Sequence, residues 1–263
     1  MTKPALLLSL LLLAACSSQK TAHDPERDLG ILWVNHAAEY QAVSLQAYRI
    51  ATADIAGFVA DRKWSALPEQ RDAEDLPPAI ILDVDETVAS NAAFQITFER
   101  PFENQKLDEW TRANPAAPVP GVSEFLREAR SQGVELFFVT NRPCELREGI
   151  DDPCPQKQST IDDIREVGIE TDKEHVMLSE EQGWTREKST RRAHVANTHR
   201  VIMLLGDDLS DFIPCVRSSP KSPCENVATR ESRMNATYQH AEYWGHGWYI
   251  LPNPMHGSWT SAR

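Results

Sequence analysis

The stretch AIILDVDET, Ala79 to Thr87, limits what this chain can fold into more than any other. Four consecutive apolar residues, Ala79 to Leu82, run straight into Asp83 and Asp85, with Glu86 and Thr87 behind them. An unbroken apolar run of that length suits a strand buried on both faces, as in a parallel sheet covered by helices. Side chains alternate along an extended chain, so Asp83 and Asp85 can share one side of the strand end if the backbone stays extended through Val84. Two carboxylates so close repel one another and need a cation, a shared proton or strong hydrogen bonds. The competing reading is structural: a strand entering a turn, its acids solvated or capping the next helix. Partners elsewhere in the chain decide between the two.

Similar units follow. Gly121–Gln132 reads as a helix and Val134–Val139 as a second buried strand ending in Thr140, Asn141 and Arg142. Helices are expected over Gln158–Val167 and Arg186–Thr198, with strands at His175–Leu178 and Val201–Leu205, the last running into GDDLSDF at 206–212. A helix over Thr229–Trp244 and a strand near Gly247–Leu251 close the pattern. Before the first strand, Leu29, Leu32, Trp33, His36, Tyr40, Val43, Ala47 and Ile50 recur at helical spacing, predicting one long helix over Asp28–Val59 with these residues, His36 among them, packed inward. The segment Val88–Pro120 is irregular and aromatic, which suits a lid or pocket wall. Repeated alternation of strand and helix predicts an α/β fold, a Rossmann-like doubly wound parallel sheet with a small, partly aromatic cap. Ligands in such folds sit at the carboxyl ends of the strands.

Lys3 and the apolar run Ala5–Leu13 fit an export signal, being too short to span a bilayer as a mature helix. Cys16 directly after Leu13-Ala14-Ala15 resembles the lipobox of bacterial lipoproteins, whose cysteine is acylated and becomes the first mature residue. Residues 1–15 are thus expected to be the signal, 16–27 an acylated cysteine and tether, and 28–263 the folded domain. The other cysteines, Cys144, Cys154, Cys215 and Cys224, are even in number for an oxidising compartment. Local pairing of Cys144 with Cys154 and Cys215 with Cys224 is the simplest connectivity, and crossed pairings stay open. A net charge of −12 argues against a nucleic-acid polymer as partner, since that contact needs concentrated Lys and Arg.

Asp83 and Asp85, Thr140, and Asp207 and Asp211 therefore fall at strand ends, with Lys188 in the helix before the last strand of that set. Gathered together, these carboxylates would be costly without a hard cation among them, and magnesium suits oxygen ligands and a phosphate-bearing substrate better than zinc.

DVDET at 83–87, VTNR at 139–142, KSTRR at 188–192 and GDDLSDF at 206–212 together resemble the haloacid-dehalogenase superfamily, and within it the class C nonspecific acid phosphatases, a bacterial lipoprotein group. LWVNHAAEYQA at 32–42 resembles that family's N-terminal helix and LPNPMHGSW at 251–259 its C-terminal segment. The resemblance implies a magnesium-dependent acid phosphatase acting on small phosphate monoesters, nucleoside 5'-monophosphates included, and an outer-membrane lipoprotein of the bacterial envelope, with a homodimer left open. By it Asp83 is the nucleophile that forms an aspartyl-phosphate, and Asp85 exchanges the proton with leaving group and water. Thr140 and Lys188 bind the phosphate, Lys188 being preferred over Lys173. Asp83, the backbone of Asp85 and Asp207 hold the metal, with Asp211 supporting from behind or ligating directly. Relatives often carry Asn where this chain has Asp208, so the role of Asp208, behind the metal or on it, is open.

The family further implies an aromatic-lined cap, contributed mainly by 88–120 and neighbouring N- and C-terminal segments, in which Phe94, Phe98 and Trp110, joined by Tyr243 or Trp244, would meet the leaving group. Asn141 and Arg142 are expected at the substrate, Arg142 alternatively as an ion-paired loop residue, beside a disulfide-braced loop from Cys144 to Cys154. Two other functions compete: an envelope phosphotransferase, and a non-catalytic lipoprotein that binds haem or another ligand. The second leaves the coincidence of six site residues unexplained.

Overall fold

The computed structural model describes residues 25–98 and 101–262; the expected export signal and Cys16 lie outside the described residues. Helices α1 (Pro25–His36) and α2 (Ala38–Ala60) come first, then strand β1 (Pro78–Leu82). Short strands β2 (Ala89–Ser90) and β3 (Ala117–Pro118) pair antiparallel and bracket helices α3 (Ala92–Thr97) and α4 (Asn104–Ala113). Next come α5 (Val122–Ser131), β4 (Glu135–Pro143), α6 (Pro155–Glu166), β5 (Val176–Ser179) and α7 (Ser189–Ala196). The chain continues through β6 (Arg200–Gly206), α8 (Arg230–Gln239) and β7 (Trp248–Ile250).

Five strands form one parallel sheet in the order β5-β4-β1-β6-β7. The chain winds outward from β1 through β4 to β5, then returns past β1 to build β6 and β7. Its direction of winding therefore reverses between β1 and β6, and side chains leaving the carboxyl ends of those two strands face a shared crevice.

Both faces of the sheet are covered, which is why the strands read as unbroken apolar runs. Ile80, Leu82, Leu136 and Phe138 pack against Tyr48 and Ile55 of α2, Phe125 and Leu126 of α5, and Ile161 and Ile164 of α6. Their neighbours Ala79, Ile81, Phe137 and Val139 meet Val195 of α7, Phe212 and Trp248 on the opposite face. Pairing slips by one between Ala79↔Val201 and Ile80↔Met203, so Ile202 is an extra residue in β6. Such a bulge turns the strand locally, and Ile202 and Met203 consequently join the same face.

The single long helix expected over 28–59 is two helices, broken at Ala37, whose backbone is extended (φ −81°, ψ 129°). No Pro or Gly marks the break; α1 turns away because Val34 packs with Tyr40, Ala92 and Met255 in a separate small cluster. The inward face is also one residue out of step with the expected stripe. Tyr40, Ser44, Tyr48, Ala51, Ile55 and Phe58 are buried, whereas Leu29, Leu32, Val43 and Ile50 are exposed, as is His36. Strand β4 runs four residues beyond its expected end, and its last residue, Pro143, still pairs with Ser179 of β5. Both local disulfides form, Cys144–Cys154 and Cys215–Cys224.

Candidate active site

Asp83 leaves β1 with its N–H still donating to Leu205 O of β6 at 2.9 Å. Its buried carboxylate meets Lys188 Nζ, which also lies 2.6 Å from Asp211 Oδ1. Asp83, Asp207 and Asp211 offer oxygens within 4.8 Å of one another. Close approach at Gly206 makes this possible: a Cβ there would stand 2.3 Å from Asp211 Oδ2. Burial, together with Asp211 and Asp85 and against the pull of Lys188, pushes Asp83 up to about 7. Burial and the charges of Asp83 and Asp211 raise Asp207 well above the usual carboxylate range. Lys188 stays firmly protonated, because Asp211 and Asp83 outweigh its desolvation. An all-oxygen set with surplus negative charge has the donor chemistry of a hard divalent cation.

Asp85 keeps other company. Glu86, at φ 60°, folds the chain into a tight turn in which Val88 and Ala89 N–H groups donate to Val84 O. Asp85 then accepts from Arg142 Nη2 and Asn91 Nδ2 at 2.8 and 2.7 Å, and from Thr140 Oγ1 at 3.3 Å. Burial would raise its pKa, but Arg142 and Asn91 bring it below the ordinary value. Arg142 also binds Asp163 and Thr160, so of its two expected roles the ion-paired one is realised. Its donors are engaged by these groups, and it also lines the cleft that opens over the site.

The KSTRR run holds three motif ends at once. Lys188 stands at the N-cap of α7, and Arg191 and Arg192 lie three and four residues on, hence on its face of the helix. Arg191, fully buried, donates to Thr140 O, and its Nη2 reaches Asn141 Oδ1 at 2.8 Å. Arg192 donates to Ser210 O and Asp211 O at 3.1 and 2.8 Å. Neither arginine is singled out by its residue type, since a helix rich in Arg and Glu reads as solvated; only their spacing from Lys188 signals the shared face.

Asp207 and Asp208 are adjacent but differently employed. Asp207 Oδ2 accepts from Asn253 Nδ2 at 2.7 Å. Asp208 caps the turn at 209–211, accepting from Ser210 N–H and hydroxyl, and also takes Ser258 N–H and hydroxyl at 2.6 and 2.7 Å. Against burial, Arg217 and these donors hold Asp208 at about 2. Asp208 is not among the carboxylates whose oxygens gather within 4.8 Å of one another, but its N–H donates to Asp211 Oδ2 at 3.0 Å, so it stands against that cluster without joining it. A second grouping, Glu187 with Cys215 and Cys224, is no metal site, because the two sulfurs are bonded to each other.

A cleft of about 1110 Å³ opens over these residues, lined among others by Asp83, Asp85, Asn141, Lys188, Asp207 and Asp211. Its other wall comes from α3, α4 and the loop after Cys144. Phe98 lines the cleft but has Phe94 stacked on it at 5.0 Å and the Arg27 guanidinium 4.4 Å from its ring centre. Phe94 is buried and Trp110 faces a shallow groove on the other side of α4, so neither lines the cleft. Tyr243 and Trp244 pack around Trp248, also outside it. The exposed aromatics that do reach the cleft are Phe102 and Trp259; sequence reasoning missed both as pocket residues, their only signal being position in the aromatic segment and at the chain's end.

The chain matches the sequence model of HAD superfamily, subfamily IIIB (Acid phosphatase), over residues 8–259. Among solved structures it is similar to the class C acid phosphatase from Bacillus anthracis, with TM-score 0.70 and 27% identity over 90% of this chain and 87% of that one. A crystal structure of that enzyme with tungstate bound matches with TM-score 0.70 and 26% identity over the same shares.

Proposed function

The chain belongs to the acid phosphatases of HAD superfamily subfamily IIIB and is a phosphatase of small phosphate monoesters; from that premise we propose that Asp83 is its nucleophile, magnesium its metal and nucleoside 5'-monophosphates among its substrates. The observation that carries the reading is the meeting of Asp83, Asp207 and Asp211 around Lys188 where β1 and β6 diverge, under an open cleft.

A carboxylate is a weak nucleophile, so alignment and charge neutralisation must supply most of the rate. Asp83, the backbone carbonyl of Asp85 and Asp207 would hold magnesium, with Asp211 beside them. Bound there, the ion supplies positive charge to the phosphate and keeps Asp83 ionised against the burial that otherwise favours its protonated form. Lys188 sits on Asp83 already and can follow the phosphate oxygens as the Asp83–phosphorus bond forms and the ester bond breaks. Thr140, whose hydroxyl points at Asp85, together with main-chain N–H groups, orients the anion.

Asp85 enters the cycle as a carboxylate because Arg142 holds it below the ordinary pKa. A proton for the leaving oxygen is available on Asp85 when an acidic medium, or a phosphate drawing Arg142 away, relaxes that pair. Water then attacks the aspartyl-phosphate, passes its proton to Asp85 and releases Asp83. The segment 88–120 acts as a cap, and Phe102 and Trp259 are placed for an aromatic leaving group. Residues 1–16 support secretion and acylation at Cys16, putting the enzyme on an envelope membrane.

Assay of purified protein against a monoester series that includes nucleoside 5'-monophosphates, with magnesium and with chelator, tests the chemistry. Asp83→Asn is expected to fold and to lose turnover to background. Magnesium-dependent turnover retained by folded Asp83→Asn would overturn the nucleophile assignment, and full activity in chelator would remove the metal.

A further inference from the structure

Two stretches that the family resemblance singles out, at 32–42 and 251–259, supply none of the groups placed above at the phosphate or the metal, yet in the fold they meet beside the site. Asn253 is the link. Its Oδ1 accepts from Met255 N–H and His256 N–H at 3.0 and 3.3 Å, which fixes the amide with its NH2 toward Asp207 Oδ2. Three residues on, His256 Nε2 lies 2.8 Å from Glu86 Oε2. Glu86 Oε1 in turn accepts Asn91 N–H at 2.7 Å, and Asn91 holds Asp85. The segment is tied at its far end by Ser258 on Asp208. Its back rests on α1: Met255 packs with Val34, Tyr40 and Ala92, and a Cβ at Gly30 would stand 2.3 Å from Pro254 O.

We propose that residues 251–258 form a strap whose Asn253 is a positioning residue for Asp207, and that α1, through the bare backbone at Gly30, sets where the strap lies. A carboxylate free to rotate must be ordered by the ion it binds; with Oδ2 held by Asn253, the carboxylate that meets Asp83 and Asp211 is oriented beforehand. Partners of this kind behind a metal ligand are typically worth about 10–100-fold in metal affinity or activity. The inference rests on the reading that Asp207 holds a divalent cation.

Mn2+ binding, followed by electron paramagnetic resonance without substrate, tests it on the wild type, Asn253→Ala, Gly30→Ala and the control Gly57→Ala. Gly57 lies in α2 with nothing within 4 Å of an added Cβ. Asn253→Ala and Gly30→Ala are expected to bind Mn2+ at least about tenfold more weakly, with Gly57→Ala unchanged and thermal melts showing each protein folded. Should Gly30→Ala not fold, Met255→Ala, which thins the packing on Val34 of α1 together with Tyr40 and Ala92, is expected to weaken binding in the same direction. Wild-type affinity in Asn253→Ala overturns the role of Asn253. Weakening in Asn253→Ala with wild-type affinity in the α1 variants overturns the seat on α1. No Mn2+ binding by the wild type removes the metal reading itself, a result distinct from either.

Discussion

Asp208 and Asp207 are neighbours in the chain, and their environments give them separate tasks. Asp208 spends both oxygens on Ser210 and Ser258 and has Arg217 close by, so despite burial it ionises at about 2. Asp207 is buried with one neutral donor and three nearby carboxylates, those of Asp83, Asp211 and Glu86, and is driven the other way. The lowered folded-state pKa of Asp208 means that its stabilising contribution is complete above about pH 4 and is lost as pH falls toward 2. A shift of this size corresponds to about 2 kcal/mol. Denaturant unfolding of the metal-free protein at a series of pH values should show wild-type stability declining over that window by about 2 kcal/mol more than Asp208→Asn does. Parallel pH profiles for the two proteins would show that the clamp does not depend on the charge. Asn at this position keeps one acceptor oxygen but must turn an NH2 toward either Ser258 N–H or Ser210 N–H, which is a physical reason for Asp where Ser258 is present.

At the scale of an element, α7 is short, beginning at Ser189 and ending at Ala196, yet it fixes the ends of β1, β4 and β6 relative to each other. Lys188 reaches the Asp83 end, Arg191 the Thr140–Asn141 end and Arg192 the Ser210–Asp211 turn. Losing a buried guanidinium leaves its acceptors unpaired, at about 1–3 kcal/mol for each such group. Arg191→Ala is therefore expected to lower the melting temperature by several degrees and to raise KM for phosphate esters more than it lowers kcat, since Thr140 and Asn141 lose their brace. Added guanidinium should recover part of the KM, a response that general destabilisation would not give. Unchanged KM in the variant would show that Arg191 serves folding alone. The loop from Cys144 to Cys154 is an element of a different sort: its disulfide keeps Arg147 against Asp108 of α4 at 2.7 Å, joining the sheet end to the facing wall of the cleft.

For the whole molecule, the reversal of winding at β1 and β6 explains why motifs spread over 83–211 converge. Phosphate chemistry in a chain of net charge −12 is accommodated by a few buried cations placed among the carboxylates rather than by a basic surface. Anchoring belongs to this scale as well. If Cys16 is acylated, Cys16→Ser should move the expressed phosphatase activity from the membrane fraction to the soluble fraction without changing its kinetics on soluble esters. Activity that stays membrane-bound in the variant would refute a lipid anchor at that position.

The buried strands and the chemistry of the strand ends were legible in the sequence because both are local: an apolar run into D-x-D, VTNR or GDDLSDF needs no distant partner to be recognised. The pairing of Lys188 with both Asp83 and Asp211 was half legible, as charge demanded a cation and only the fold could say which carboxylates it would touch. The break at Ala37 and the one-residue offset of the inward face of α2 were not legible, because no residue there forbids a continuous helix; packing of Val34 and Tyr40 with Ala92 and Met255 decides it. Nor could apolar character alone separate Phe94 and Trp110, which pack outside the cleft, from Phe102 and Trp259, which line it. Sequence by itself determined the layered α/β architecture and the residues with chemistry to offer, since hydrophobic period and residue type are properties of short stretches. Tertiary structure alone decided that Asp208 clamps a strap, that Arg142 is held by Asp85 and Asp163, and that Asn253 stands behind Asp207. Each of those roles depends on which distant groups share a buried space, and burial sets the strength of every charge in it.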